Sequence, residues 1–148
     1  MKKILSFIIN DHNKILLLRN NATDPIHGGD IWYTVTGGFE PGETDGKEVC
    51  KREIKEETNL DIIESIYLNL ILKYTHNNIE CEEYVYVSFT QNIDVILDTE
   101  ENVDYKWCSL NILLKEMKWY GDSMLLKLIL KDAINRKVYL REETTEKV

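Results

Sequence analysis

Three glutamates, Glu53, Glu56 and Glu57, stand close together in the stretch TGGFEPGETDGKEVCKREIKEETNL, residues 36–60. On a helix advancing ~100° per residue, Glu56 and Glu57 fall within ~60° of Glu53, one on either side. Like charges so spaced repel by a few tenths of a kcal/mol per pair in water and by far more when partly desolvated. Lys47, Lys51 and Lys55, with Glu48 and Thr58, occupy the opposite side, the expected solvent face. Val49, Cys50 and Leu60 lie among the acids, so the three glutamates are expected to face inward. Arg52 has one of them within i+4 reach, Glu56. A divalent cation would offset the remaining charge, and hard oxygen ligands select Mg²⁺, with Mn²⁺ as a substitute. A solvated, salt-bridged surface is the ordinary reading of a Glu-rich helix, and the shared inward face argues against it.

The elements that must position this helix alternate between strand and turn. KKILSFIIN and KILLLRN are apolar runs of strand length separated by DHN, which predicts a hairpin. NATDPIHGGD reads as a loop, and IWYTVT as a strand running into Gly37 and Gly38. In the loop GGFEPGETDG that follows, Gly37, Gly38 and Gly42 allow tight turns where backbone can approach a metal or a phosphate. SIYLNLILKYTH and EEYVYVSFTQ predict long strands joined by NNIEC, and YKWCSL predicts a short one. NILLKEM and SMLLKLILKDAINR carry apolar residues at helical spacing, and REETTEKV reads as a solvated tail at 141–148.

The chain has 148 residues, 43% of them hydrophobic and 30% charged, which suits one folded domain over 1–148 and is too apolar for disorder. No apolar run approaches the ~20 residues of a membrane span, and the opening MKKILSFIINDHNK turns polar too early for a signal peptide, so a cytoplasmic protein is expected. A net charge of −8 argues against a nucleic-acid partner, because that affinity comes from basic groups on phosphates. Cys50, Cys81 and Cys108 have no zinc or disulfide spacing and are expected as buried thiols. His12, His27 and His76 are scattered and are assigned no role.

Gly37, Glu43, Arg52-Glu53-Ile54-Lys55-Glu56-Glu57 and Leu60 together resemble the signature of the Nudix hydrolases, G-x5-E-x7-R-E-U-x-E-E-x-G-U, where U is aliphatic. The resemblance covers most of the chain and implies an α/β/α sandwich with a mixed β-sheet. Eight residues separate Glu43 from Arg52 where the signature has seven, which places the extra residue in the loop near Asp45-Gly46. Asn59 replaces the signature's last glycine, a change suited to a left-handed helix cap.

The resemblance implies Mg²⁺-dependent hydrolysis of a nucleoside diphosphate linked to another group, with water attacking phosphorus. Glu53, Glu56, Glu57 and a backbone carbonyl at or next to Gly37 would hold the cation, and Arg52 would orient the acids. Glu53 is the first candidate to deprotonate the water. Some members use a glutamate outside the signature, and Glu101, six residues before Trp107, is the position chosen here, as ligand or base. WYTVTGG and YKW resemble the branch of dihydroneopterin triphosphate pyrophosphatases and related (deoxy)nucleoside triphosphate hydrolases, although the Asn expected soon after the second Trp is missing from KWYGDS. Trp32, Tyr33 and Trp119 are candidates to stack on a base or pterin, Arg19 to meet a phosphate and Gly38 to approach the substrate, and each also reads as a structural residue. Two other readings stay open: a non-catalytic nucleotide-binding module on the same fold, and an acidic protein-interaction domain.

Overall fold

The computed structural model describes residues 1–21, 31–119 and 121–138. Most of the expected loop NATDPIHGGD, His27 within it, and the tail REETTEKV lie outside the described residues.

Strand β1 (Lys2–Ile9) is apolar on both faces and buried along nearly its whole length, the signature of a strand covered on both sides. It pairs in parallel with β6 (Ile79–Phe89), which pairs antiparallel with β5 (Glu64–His76), so the sheet is mixed. The expected hairpin joins β1 to β2 (Ile15–Asn20) through the rung Ile9 to Ile15. Beyond that rung the two strands take different partners. β4 (Val35–Gly38) lines the edge of β1, while β3 (Trp32–Tyr33) and β7 (Asn102–Cys108) pair with β2.

This fork corrects the single strand expected from IWYTVT. The run breaks at Thr34, whose hydroxyl donates to the Ser6 carbonyl at 2.6 Å, so Trp32 and Tyr33 follow β2 while Val35 and Thr36 follow β1. The β5–β6 connection is also shorter than NNIEC. Asn77 and Asn78 make the turn with φ of 50° and 63°, a conformation Asn tolerates, and Ile79 already pairs with His76.

Helix α1 (Gly46–Thr58) covers one face of the sheet, packing Val49, Cys50 and Ile54 onto Ile4, Ile8 and Leu18. Helices α2 (Leu110–Glu116) and α3 (Ser123–Ile134) cover the other, packing Leu113, Leu126 and Leu130 onto Leu5, Phe7 and Val87. The result is the α/β/α sandwich expected. All three cysteines are free and buried. No described helix is long and apolar enough to cross a membrane.

Candidate metal and catalytic site

Both ends of α1 are set by local chemistry. Asp45 caps the N-terminus, its carboxylate accepting the Lys47 N–H at 3.0 Å, so the additional residue of the 43–52 interval is taken up as the helix begins. Asn59 closes the C-terminus at φ 62°, the left-handed cap its sequence position calls for. Ahead of the helix, Pro41 and Gly42 stand at the centre of a turn closed by the Glu43 N–H on the Glu40 carbonyl, and the φ of 89° at Gly42 is one that favours glycine.

That turn delivers Glu43 to Arg52. The guanidinium donates from Nε to Glu43 Oε2 at 3.0 Å and from Nη2 to Oε1 at 2.7 Å, a two-pronged pairing. Nη2 also donates to the Gly38 carbonyl at 3.0 Å, and Nη1 to Glu53 Oε1 at 2.9 Å. Contacts of 3.4 Å to Glu56 and Glu40 complete its surroundings. Arg52 thus serves several carboxylates where the sequence reading gave it one, because its planar fork projects donors in several directions at once. The Arg52 hydrogen bonds hold the Glu43 carboxyl below its usual range.

The three helix acids do not share one environment. Glu57 is buried, the Glu53 side chain is 13% exposed and the Glu56 side chain is 54% exposed, leaning on Arg52 at the rim. The inward orientation expected for Glu56 is therefore corrected, as is the solvent placement of Thr58, which is fully buried with its hydroxyl on the Ile54 carbonyl at 2.6 Å. The buried arc runs from Val49 through Glu53, Glu57 and Cys50 to Ile54 and Thr58, so its centre lies ~50° to the Glu57 side of Glu53 and Glu56 falls on its margin.

Gly37 lies against Glu53. A Cβ at Gly37 would fall on the Glu53 carboxylate, so a glycine there is what lets the acid lie against the end of β4. Burial raises the Glu53 pKa, with Arg52 pulling it down and the charges of Glu56 and Glu101 pushing it up.

The long connection from β6 to β7 brings Glu101 to the same place. Its Ile96 and Asp98 N–H groups donate to the Thr58 and Glu57 carbonyls at 3.0 and 3.2 Å, satisfying orphan acceptors at the end of α1. Trp107 Nε1 ties the connection down at the Ile93 carbonyl, 3.0 Å away, and the Asn21 N–H donates to the Glu101 carbonyl at 2.9 Å. The Glu101 side chain consequently comes within hydrogen-bond reach of Glu57. Burial first, and then this second carboxylate, push the Glu57 pKa well above the usual value. Two ionised carboxylates have no hydrogen between them, and Glu57 Oε2 is buried without a hydrogen-bond partner. A proton or a cation shared between the two acids would remove that deficit, so the donor set fits a hard divalent ion. Glu53, Glu57 and Glu101 are thus electrostatically coupled, while among the described residues no three acidic, His or Cys side chains already form a ligand cage.

The substrate candidates are distributed differently. Gly38 meets Arg52 through its carbonyl. Trp32, Tyr33 and Trp119 pack against the core layer under α2 and α3, on the face of the sheet away from α1. Lys106 lies 4.1 Å from the Trp32 ring centroid and forms an ion pair with Glu116, and Trp119 stands 5.9 Å from the Phe7 ring. Arg19 is on β2, on the rung shared with Trp32 and Asp104. One residue escaped the sequence reading altogether: Asn102 is buried and donates from Nδ2 to Glu57 Oε1 at 3.3 Å. Its only signal was adjacency to Glu101.

The fold and site define a class, an α/β/α sandwich whose glutamate-bearing helix is organised by one arginine. The family model for the NUDIX domain matches residues 2–128. The chain superposes on the MutT protein from Methanosarcina mazei Go1 with a TM-score of 0.69 at 21% identity, over 93% of this chain and 94% of that one. A Caenorhabditis elegans Ap4A hydrolase in a binary complex gives 0.66 at 24% identity, over 88% and 92%. The NUDIX domain of Shewanella oneidensis NrtR, complexed with ADP ribose, gives 0.69 at 14% identity, over 90% and 88%. Identities this low speak for the shared fold. The chain belongs to the NUDIX domain family.

Proposed function

We propose that the protein is a cytoplasmic, Mg²⁺-dependent hydrolase that cleaves a phosphoanhydride bond in a nucleoside diphosphate linked to another moiety, or in a nucleoside triphosphate-like substrate. The observation that carries this reading is the buried Glu57 oxygen left without a partner beside a second carboxylate. Glu53, Glu57 and Glu101, with the exposed Glu56 and the backbone near Gly37, are the residues that would hold the cation. When bound, Mg²⁺ supplies charge neutralisation for the phosphates and activation of a water.

The chain's own residues do the rest. Arg52 fixes Glu53 and the Gly38 carbonyl in one plane of hydrogen bonds, so the base and the substrate-side backbone keep a constant relation. Glu53, with its raised proton affinity, is suited to take a proton from the attacking water, and Glu101 is the alternative base. The attack forms one P–O bond and breaks the anhydride P–O bond, leaving two phosphate-bearing products. The relatives named with Ap4A and ADP ribose favour nucleotide substrates.

The test is a panel of nucleoside triphosphates, dinucleoside polyphosphates, nucleotide sugars, ADP-ribose and dihydroneopterin triphosphate. Phosphate-bearing products are measured with Mg²⁺ and after chelation. At least one substrate is hydrolysed in a Mg²⁺-dependent manner if the reading is right. No turnover, together with no Mg²⁺-dependent rise in Tm, refutes it and leaves a non-catalytic module or an interaction domain.

A further inference from the structure

We propose that Asn102 is a positioning residue for Glu57, presented to it by a β-bulge at Val103. The proposal rests on the reading of Glu57 as a cation ligand. On β7, Trp107 packs into the α1 layer, whereas Cys108 lies in the opposite layer and Lys106 reaches Trp32 on that side. Strict alternation from these residues would send Tyr105 and Val103 toward α1 and Asn102 away from it. The pairing instead slips between rungs: Arg19 faces Asp104 but Asn20 faces Asn102, leaving Val103 as the extra residue, half-exposed. Such an insertion re-aims the side chains beyond it, and here it turns Asn102 toward Glu57.

The environment makes this contact consequential. Asn102 and Glu57 are both buried, and the amide is the protein donor to Oε1. The carboxylate torsion of a glutamate is broad and soft, and a single N–H on Oε1 fixes which oxygen is held and which is left. The oxygen left is Oε2, the one without a partner and on the carboxylate that faces Glu101. A neutral donor suits this role, since it orients the carboxylate without bringing a competing positive charge. Asn20, opposite Asn102, is on the same side as Leu16 and Leu18, and its Oδ1 takes the Ile31 N–H at 2.8 Å, bracing the rung from the other strand.

The experiment compares Mg²⁺ binding, read as Tm against Mg²⁺ concentration and as Mn²⁺ uptake by electron paramagnetic resonance, in wild type, Asn102→Leu and Asn102→Ala. Losing an outer partner of a ligand weakens metal affinity ~10–100-fold, so the Mg²⁺ midpoint is expected to rise by that factor in both variants. If Asn102→Leu fails to fold, Asn102→Ala, which overfills nothing, carries the same comparison. Leu113→Ala, in the layer under α2, is the control for lost stability and is expected to keep the wild-type midpoint. Wild-type Mg²⁺ affinity in the Asn102 variants, or an equal shift in Leu113→Ala, overturns the proposal and leaves the cation site standing. Absence of any Mg²⁺ response in the wild type overturns the cation reading itself and this proposal with it.

Discussion

Gly37→Ala isolates the contact between the end of β4 and helix α1. The backbone at Gly37 is not in the left-handed region, so an alanine meets no conformational penalty there. The new methyl instead falls on the Glu53 carboxylate, far inside the 3.4–4 Å of ordinary contact. The carboxylate has to retreat by ~1 Å or more, and a displacement of that size at a reacting group costs ~100-fold in rate. In free energy this is about 2.7 kcal/mol of lost transition-state stabilisation.

Stability responds less. Overpacking costs ~1–3 kcal/mol when surroundings are rigid. Glu53 is a flexible chain that can swing aside, which keeps the cost at the low end, and the loss of glycine's freedom in the unfolded chain returns ~0.4–1 kcal/mol. Net change is therefore about 1 kcal/mol or less, a Tm shift of ~4 °C at most for a chain of this size. Steady-state kcat and KM on the best substrate of the panel, with Tm by calorimetry, measure both sides. Gly38→Ala, whose Cβ would meet nothing within 4 Å, calibrates the unfolded-state contribution to Tm. The combination Gly37→Ala with Glu53→Ala tests the cause: with Cγ and the carboxylate gone, nothing is left for the methyl to displace, so the double variant loses less than the product of the single losses. Wild-type kcat in Gly37→Ala, or strictly multiplicative losses, refutes the argument.

Three further outcomes are expected. Glu57→Gln lowers kcat by orders of magnitude while raising the Tm of the metal-free protein at pH values where Glu57 is ionised, because there it removes a buried like charge beside Glu101. The raised pKa of Glu57 means that the native state holds a proton the unfolded chain has released, so metal-free stability falls as pH rises above the ordinary glutamate value of 4.5, and Glu57→Gln flattens that fall in pH-dependent melting. Glu101→Gln lowers kcat with KM little changed, whereas Glu100→Gln and Asp104→Asn, exposed loop and strand carboxylates, are nearly silent in the same assay. Arg52→Lys lowers kcat ~10–100-fold and also lowers Tm, since an ammonium cannot serve Glu43, Glu53 and the Gly38 carbonyl together; full activity in this variant would show that the fork is dispensable.

What was legible in the sequence was whatever repeats locally. The apolar runs of β1, β2, β5 and β6 and the caps Asp45 and Asn59 follow from residue types at short range. The helical wheel placed Glu53 and Glu57 correctly but assumed an apolar stripe centred on Glu53. The true centre depends on where the helix lies on the sheet, because Ile54 and Thr58 bury toward β-strand residues that the wheel does not contain. The split of IWYTVT likewise depends on β1 and β2 parting company, an arrangement made by pairings between distant segments.

The same limit explains why Glu101 could be singled out as a candidate and Asn102 could not. A carboxylate announces its chemistry by type, and its spacing from Trp107 was enough to choose it from its neighbours. An asparagine announces nothing until its direction is known, and that direction is set by the register of β7 against β2. Had the ladder continued without the slip at Val103, Asn102 would face the layer under α2 and α3, and Glu57 would be buried with neither oxygen bound to a protein donor. The bulge, one residue inserted at the edge of the site, therefore gives Glu57 Oε1 its donor and leaves Oε2 as the oxygen turned to other partners.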